Sequence, residues 1–139
     1  MKKTGRPVVF TSAVGDMLHT GHLRLFQKAS KLGDLVVGIP TSASNVKIKG
    51  RETVISLEDR LLMIQALKCV RLCIAYEGKE ELDDLIQLIH PDYVCRGDDQ
   101  KDFNGKAAAE AVGAKIVYFP YSKDISSTKI RERIEELWK

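Results

Sequence analysis

The chain has 139 residues, which fits a single domain spanning 1–139. Hydrophobic residues at 44% and charged residues at 29% exclude wholesale disorder. Lysine and arginine (22) barely exceed aspartate and glutamate (19), and a net charge of +3 so evenly scattered excludes a nucleic-acid partner on charge grounds. No apolar run approaches the length of about 18 residues that a membrane helix needs, so no membrane association is expected. Met1-Lys2-Lys3 leads into a strand-like run without a cleavage pattern, which predicts no signal peptide. Cys69, Cys73 and Cys95 make an odd set with no paired spacing, as expected of reduced thiols in a cytoplasmic protein.

In chain order, strand-like and helix-like segments alternate. Pro7 to Ser12 is an apolar run that predicts a buried strand. Gly21 to Leu32 follows with Leu25, Phe26, Ala29 and Leu32 at helical spacing. Asp34 to Pro40 is a second buried strand, and Thr41 to Ile55 a polar loop carrying Lys47, Lys49 and Arg51. Ser56 and Asp59 resemble a helix-start box, with Leu57, Leu61, Ile64 and Leu67 as the apolar face. Val70 to Tyr76 is a third strand, and Leu82, Leu85, Ile86 and Ile89 mark a helix. Asp92 to Arg96 is a fourth strand ending at Gly97, Ala107 to Val112 a short helix, and Lys115 to Phe119 a fifth strand. Ser127 to Trp138 closes the chain as a helix with Ile130, Ile134 and Leu137 expected to face inward.

Alternation with continuous apolar strands predicts an α/β fold, a parallel sheet of about five strands with helices on both faces. In such sheets ligands bind beyond the carboxyl ends of the strands, where the strand order reverses. The unusual residues of this chain lie in the loops that follow its strands. His19 and His22 are three apart, so on a helical turn their Cβ atoms stand about 5–6 Å from one another. Gly21 removes a side chain between them and opens the backbone to a ligand. Free N–H groups at a helix start favour an anion, and two imidazoles add donors, an arrangement that suits a polyphosphate. Two other readings stand beside it. Asp16, His19 and His22 have the composition of a two-histidine, one-carboxylate metal set, and the histidines could simply cap the helix.

His19-Thr20-Gly21-His22 resembles the H-x-G-H motif of the nucleotidyltransferases with a Rossmann-like fold, and Ile125 to Ile130 resembles their second motif, I-S-[ST]-[ST]-x-I. The branch most similar is the cytidylyltransferase-like one, whose small members act on glycerol 3-phosphate. The resemblance implies nucleotidyl transfer from a nucleoside triphosphate to a small phosphorylated alcohol or polyol, with CTP as donor. An adenylyltransferase for a sugar phosphate or a flavin-like phosphate is the alternative, and a nucleotide-binding regulator with weak catalysis a third.

The resemblance also implies roles for residues. His19 and His22 would steady charge on the α- and β-phosphates, and Lys49 and Lys129 would balance acceptor and pyrophosphate charge. Ser126, Ser127 and Thr128 would hold the triphosphate end, and Asp16, Gly21, Gly97 and Asp99 would contact the nucleotide. Lys49 falls at a family lysine position before the arginine of Glu58-Asp59-Arg60, with Lys47 beside it. Lys68 and Tyr121 fall near positions that hold an acceptor. Mg²⁺ would arrive with the triphosphate, with no metal bound by the protein itself, and small members of the family imply a homodimer. Two features depart from the pattern. The family's G-T-F-D reads Ala13-Val14-Gly15-Asp16 here, and Tyr121 follows Pro120 where the glycerol-phosphate enzymes carry an arginine.

Overall fold

The apolar runs form five parallel strands: β1 (Val8–Ser12), β2 (Asp34–Pro40), β3 (Leu72–Tyr76), β4 (Tyr93–Gly97) and β5 (Lys115–Phe119). The computed structural model describes residues 4–99, 101–120 and 124–138, without the side chains of residues 47–49. The strand order is β3-β2-β1-β4-β5. The chain builds outward from β1 in one direction, then returns to the other side of β1 with β4. The reversal point therefore lies between β1 and β4, where Val9 stands opposite Tyr93 and Phe10 opposite Val94.

All seven residues of β2 are buried, because the strand sits between two neighbours and under helices on both faces. Successive side chains alternate between the two faces. Val9, Val37, Ile39 and Cys95 join one apolar cluster with Phe26, Ala29 and Ile64. Phe10, Val36 and Val94 join another with Leu82, Ile86, Ala108 and Ala109. The first cluster is covered by α1 (Thr20–Ser30) and α3 (Leu57–Gln65), the second by α4 (Gly78–Ile89) and α5 (Lys106–Ala111).

Two expectations from the sequence are corrected. The stretch 41–55 is not all loop: α2 (Ser42–Lys49) occupies half of it. Thr41 caps its start by accepting the amide of Ser44, and Gly50, at φ 73°, ends it in the left-handed conformation. The punctuation is visible in the sequence, but no apolar period lies between the two marks. The second correction concerns α6 (Ser127–Leu137): none of its residues is buried, Ile130 is only half-buried, and Ile134 and Leu137 are 44% and 54% exposed. Its amphipathic pattern has no complete partner surface in the fold.

Candidate active site

The loop after β1 ends at a helix start with an unusual cap. His19 is the N-cap of α1, and its Nδ1 accepts the amide of Gly21 at 3.0 Å. His22 closes the box: its Nδ1 accepts the amide of His19 at 3.2 Å. Each Nδ1 thus carries a lone pair, which assigns the ring proton to Nε2 in the neutral tautomer. The rings stack with centroids 4.0 Å apart, and burial lowers the His19 pKa below its ordinary value. Capping and ligand-binding readings are therefore not rivals here, since the cap uses the δ edges and leaves each ε edge a donor.

Gly21 has a reason the sequence did not show. A Cβ at this position would lie 2.7 Å from His19 Cε1 and 2.9 Å from its Nδ1. The missing side chain makes room for the imidazole itself.

Asp16 acts inside the same loop. Its two carboxylate oxygens accept the amides of Val54 and Ile55, each at 3.0 Å. Its hydrogen bonds thus tie the first loop to the segment before α3. Arg60 braces the same junction from beneath. It is fully buried and donates to the carbonyls of Val14 (2.9 Å), Pro40 (2.8 Å) and Ile55 (3.2 Å). Burial lowers its proton affinity and the Asp16 charge raises it back.

The last helix starts across from the first. Ser126 caps α6 by accepting the amide of Lys129, and the Ser127 hydroxyl donates to the Asp16 carbonyl at 3.0 Å. Arg131 reaches the Thr128 hydroxyl at 3.4 Å.

Between these helix starts lies a cleft of about 370 Å³ at the carboxyl ends of β1, β4 and β5. Asp16, His19, Gly21, His22, Gly97, Asp99, Ser126, Ser127 and Thr128 all line it. The fold thus gathers nucleotide-contact candidates from the ends of three strands, the first and last of them more than a hundred residues apart in sequence. It also adds side chains the sequence reading did not assign: Arg24, Lys28, Asn45, Arg51, Arg96 and Arg131. Five of these are cations, against the carboxylates of Asp16 and Asp99, so the wall is net positive and suited to a polyanion. Arg24 and Lys28 follow Gly21 at intervals of three and four along α1 and share its side of the helix, whereas the buried Phe26 lies below His22. A second lobe of about 450 Å³ adjoins the first and is lined by Tyr76, Lys79, Asp102, Phe103 and Asn104 among others.

Not every candidate reaches the cleft. Lys129 is exposed and does not line it. At about 100° per residue, Ser127, Thr128 and Arg131 share one arc of α6 and Lys129 points away from it. Lys68 is exposed in the turn between α3 and β3, at the end of the sheet opposite the cleft. Parallel topology dictates this, since every helix returns the chain to the amino ends of the strands. The side chains of Lys47 and Lys49, and Tyr121 altogether, lie outside the described residues.

The fold and the cleft define an open α/β sheet with a net positive cleft at its reversal point. The family model for cytidylyltransferase-like proteins matches residues 15–133. The chain belongs to this family of nucleotidyltransferases. It is 34% identical over 137 residues to the bifunctional protein HldE of Syntrophotalea carbinolica, covering 96% of this chain and 28% of that one. The HldE protein of Escherichia coli O139:H28 is 32% identical over 139 residues, with 97% and 29% covered. The chain thus spans less than a third of these relatives. Among solved structures, a lipopolysaccharide core biosynthesis protein from Thermoplasma volcanium is 26% identical with a TM-score of 0.72, over 84% of this chain and 98% of that one. Pantothenate synthetase from Thermus thermophilus shares the fold, at 18% identity and a TM-score of 0.60 over 91% and 64% of the two chains. Among the described residues, no helix is long and apolar enough to cross a membrane.

Proposed function

We propose that this chain transfers a nucleoside monophosphate from a nucleoside triphosphate to the phosphate of a small polyhydroxylated acceptor. An acceptor phosphate oxygen attacks the α-phosphorus in line, a new P–O bond forms, and the bond from the α-phosphorus to the bridging oxygen breaks. Pyrophosphate leaves with the bonding electrons. The attacking oxygen is already anionic, so the reaction needs placement and charge compensation rather than a strong base. The observation that carries this reading is the pairing of two ε-edge imidazole donors with the hydroxylated start of α6 across a net positive cleft.

In this reading His19 and His22 donate to the α- and β-phosphates as charge builds in the transition state. Ser126, Ser127 and Thr128 with the α6 amino end hold the distal phosphates, assisted by Arg131. Gly97 and Asp99 border the nucleoside. Lys49, the last residue of α2, keeps the charge-balancing role that the family resemblance implies, and Arg51 adds a cation that lines the cleft. Arg24 and Lys28 neutralise the leaving pyrophosphate. Mg²⁺ would shield the triphosphate charge when bound. The residues present fit an ion carried on phosphate oxygens and water: Asp16 lines the cleft, and each of its oxygens keeps a lone pair after accepting one amide, so it can accept a water of the ion's shell.

For the donor, CTP accords with the family's cytidylyltransferase-like character. Similarity to a lipopolysaccharide core biosynthesis protein supports a sugar phosphate as acceptor, the setting in which ATP was the alternative donor. Pyrophosphate release from CTP, ATP, GTP and UTP with Mg²⁺, against a panel of phosphorylated sugars and polyols, tests both points. Release with one donor and one acceptor, lost in His22→Ala, is the expected result. Triphosphate binding without release under any acceptor would replace the enzyme with a nucleotide-binding regulator.

A further inference from the structure

The two lobes of the cleft share a wall made of Ser12, Ala13, Val14, Asn45 and Arg96. Arg96 is the charged member of that wall, and it is held from two sides. Its Nη1 donates to the Ser12 carbonyl at 2.9 Å and to the Ser12 hydroxyl at 2.5 Å. Its guanidinium carbon lies 4.9 Å from the centre of the Phe103 ring. Burial lowers its proton affinity, Tyr76, Asp99 and Tyr118 offset that, and it stays a cation. A fixed cation thus stands on the border between a lobe built for phosphates and a lobe that is not. In-line attack requires the acceptor phosphate to meet the α-phosphorus at that border, with reacting atoms about 3–3.5 Å apart.

Beyond the border the chemistry changes. Lys79, Asp102 and Asn104 line the far part of the second lobe and offer both donors and acceptors, as a polyhydroxylated molecule requires. Phe103 is the aromatic face that a cationic headgroup would seek, and the Arg96 guanidinium already lies over it. A second cation there would meet like charge.

We propose that Arg96 seats the acceptor's phosphate for attack, and that Lys79, Asp102 and Asn104 select a sugar or polyol phosphate over a cationic phosphate ester. The proposal rests on the nucleotidyl-transfer reading and adds to it the acceptor class and the residue that positions it.

Steady-state rates with CTP and ATP, using glucose 1-phosphate, ribose 5-phosphate, glycerol 3-phosphate and phosphocholine as probes, test it. Turnover of a sugar or polyol phosphate without phosphocholine turnover is expected. Arg96→Leu should then raise the acceptor KM about tenfold or more, as loss of a charge-assisted hydrogen bond does. The triphosphate KM should move by less than about threefold, and Arg96→Lys should recover part of the loss. Equal rises in both KM values, or turnover of phosphocholine, would overturn the proposal while leaving the transfer reading intact.

A binding measurement removes the dependence on turnover. In protein labelled with [¹⁵N]arginine, the Arg96 Nε signal is assigned by its loss in Arg96→Lys. Glucose 1-phosphate added with α,β-methylene-CTP should shift that signal. No shift overturns the proposal whatever the rates show. A shift in a protein silent with every probe would sink the transfer reading and keep the site.

Discussion

Two helices open onto the cleft, and they are held very differently. α1 sinks Phe26 and Ala29 fully into the core, so the histidine pair at its start stands on a rigid support. α6 buries none of its residues, and the Ser127 hydroxyl ties it to the first loop at the Asp16 carbonyl. The phosphates would thus be gripped between a fixed jaw and a lightly seated one. Elements with few buried apolar contacts open at low free-energy cost. Ligand binding energy is therefore best placed to reorganise the α6 side, while the α1 side keeps its geometry throughout.

Substitutions probe this contrast in decreasing order of effect. Phe26→Ala removes a fully buried ring under α1 and should cost about 3–5 kcal/mol of stability in denaturant unfolding. A much smaller loss would mean that α1 is not the rigid partner. Gly21→Ala places a methyl against the His19 ring and should lower kcat on the order of 10²-fold with the fold retained by circular dichroism. Ser127→Ala cuts the tie between the jaws. About 1 kcal/mol, or a roughly fivefold rise in triphosphate Kd, is expected from binding isotherms. Leu137→Ala on the exposed side of α6 should stay within about 0.5 kcal/mol of the parent, and a core-sized loss there would erase the contrast.

Much of this arrangement was legible in the sequence because β1, β2 and β3 each carry a run of apolar residues, and such strands announce themselves. The Asp34 to Pro40 strand kept its predicted bounds, as did Lys115 to Phe119. The two phosphate-type motifs were also local: each lies in one short stretch, and the reversal of the sheet brings the stretches together. What escaped notice depends on three-dimensional neighbours. α2 lacks an apolar period, so only its caps could have revealed it. Asp16 lines the cleft as its motif suggested, but nothing in the sequence links it to Val54 and Ile55. Lys68 carried the right charge at the wrong end of a strand-helix unit. Arg96 looked like an ordinary residue of a strand end, and only the fold brings to it Ser12 from the end of β1 and Phe103 from the loop before α5. For α6 the amphipathic pattern was read correctly but its burial was not, since pattern indicates a face without saying what meets it.

The histidine box carries one further consequence. With both δ nitrogens occupied by amide protons, each ring presents a donor and no basic site toward the cleft. A pair so arranged cannot take a proton from the attacking group on its ε edge. Turnover should therefore show almost no difference between H₂O and D₂O in its chemical step, the signature of a displacement driven by charge in place rather than by protons in flight.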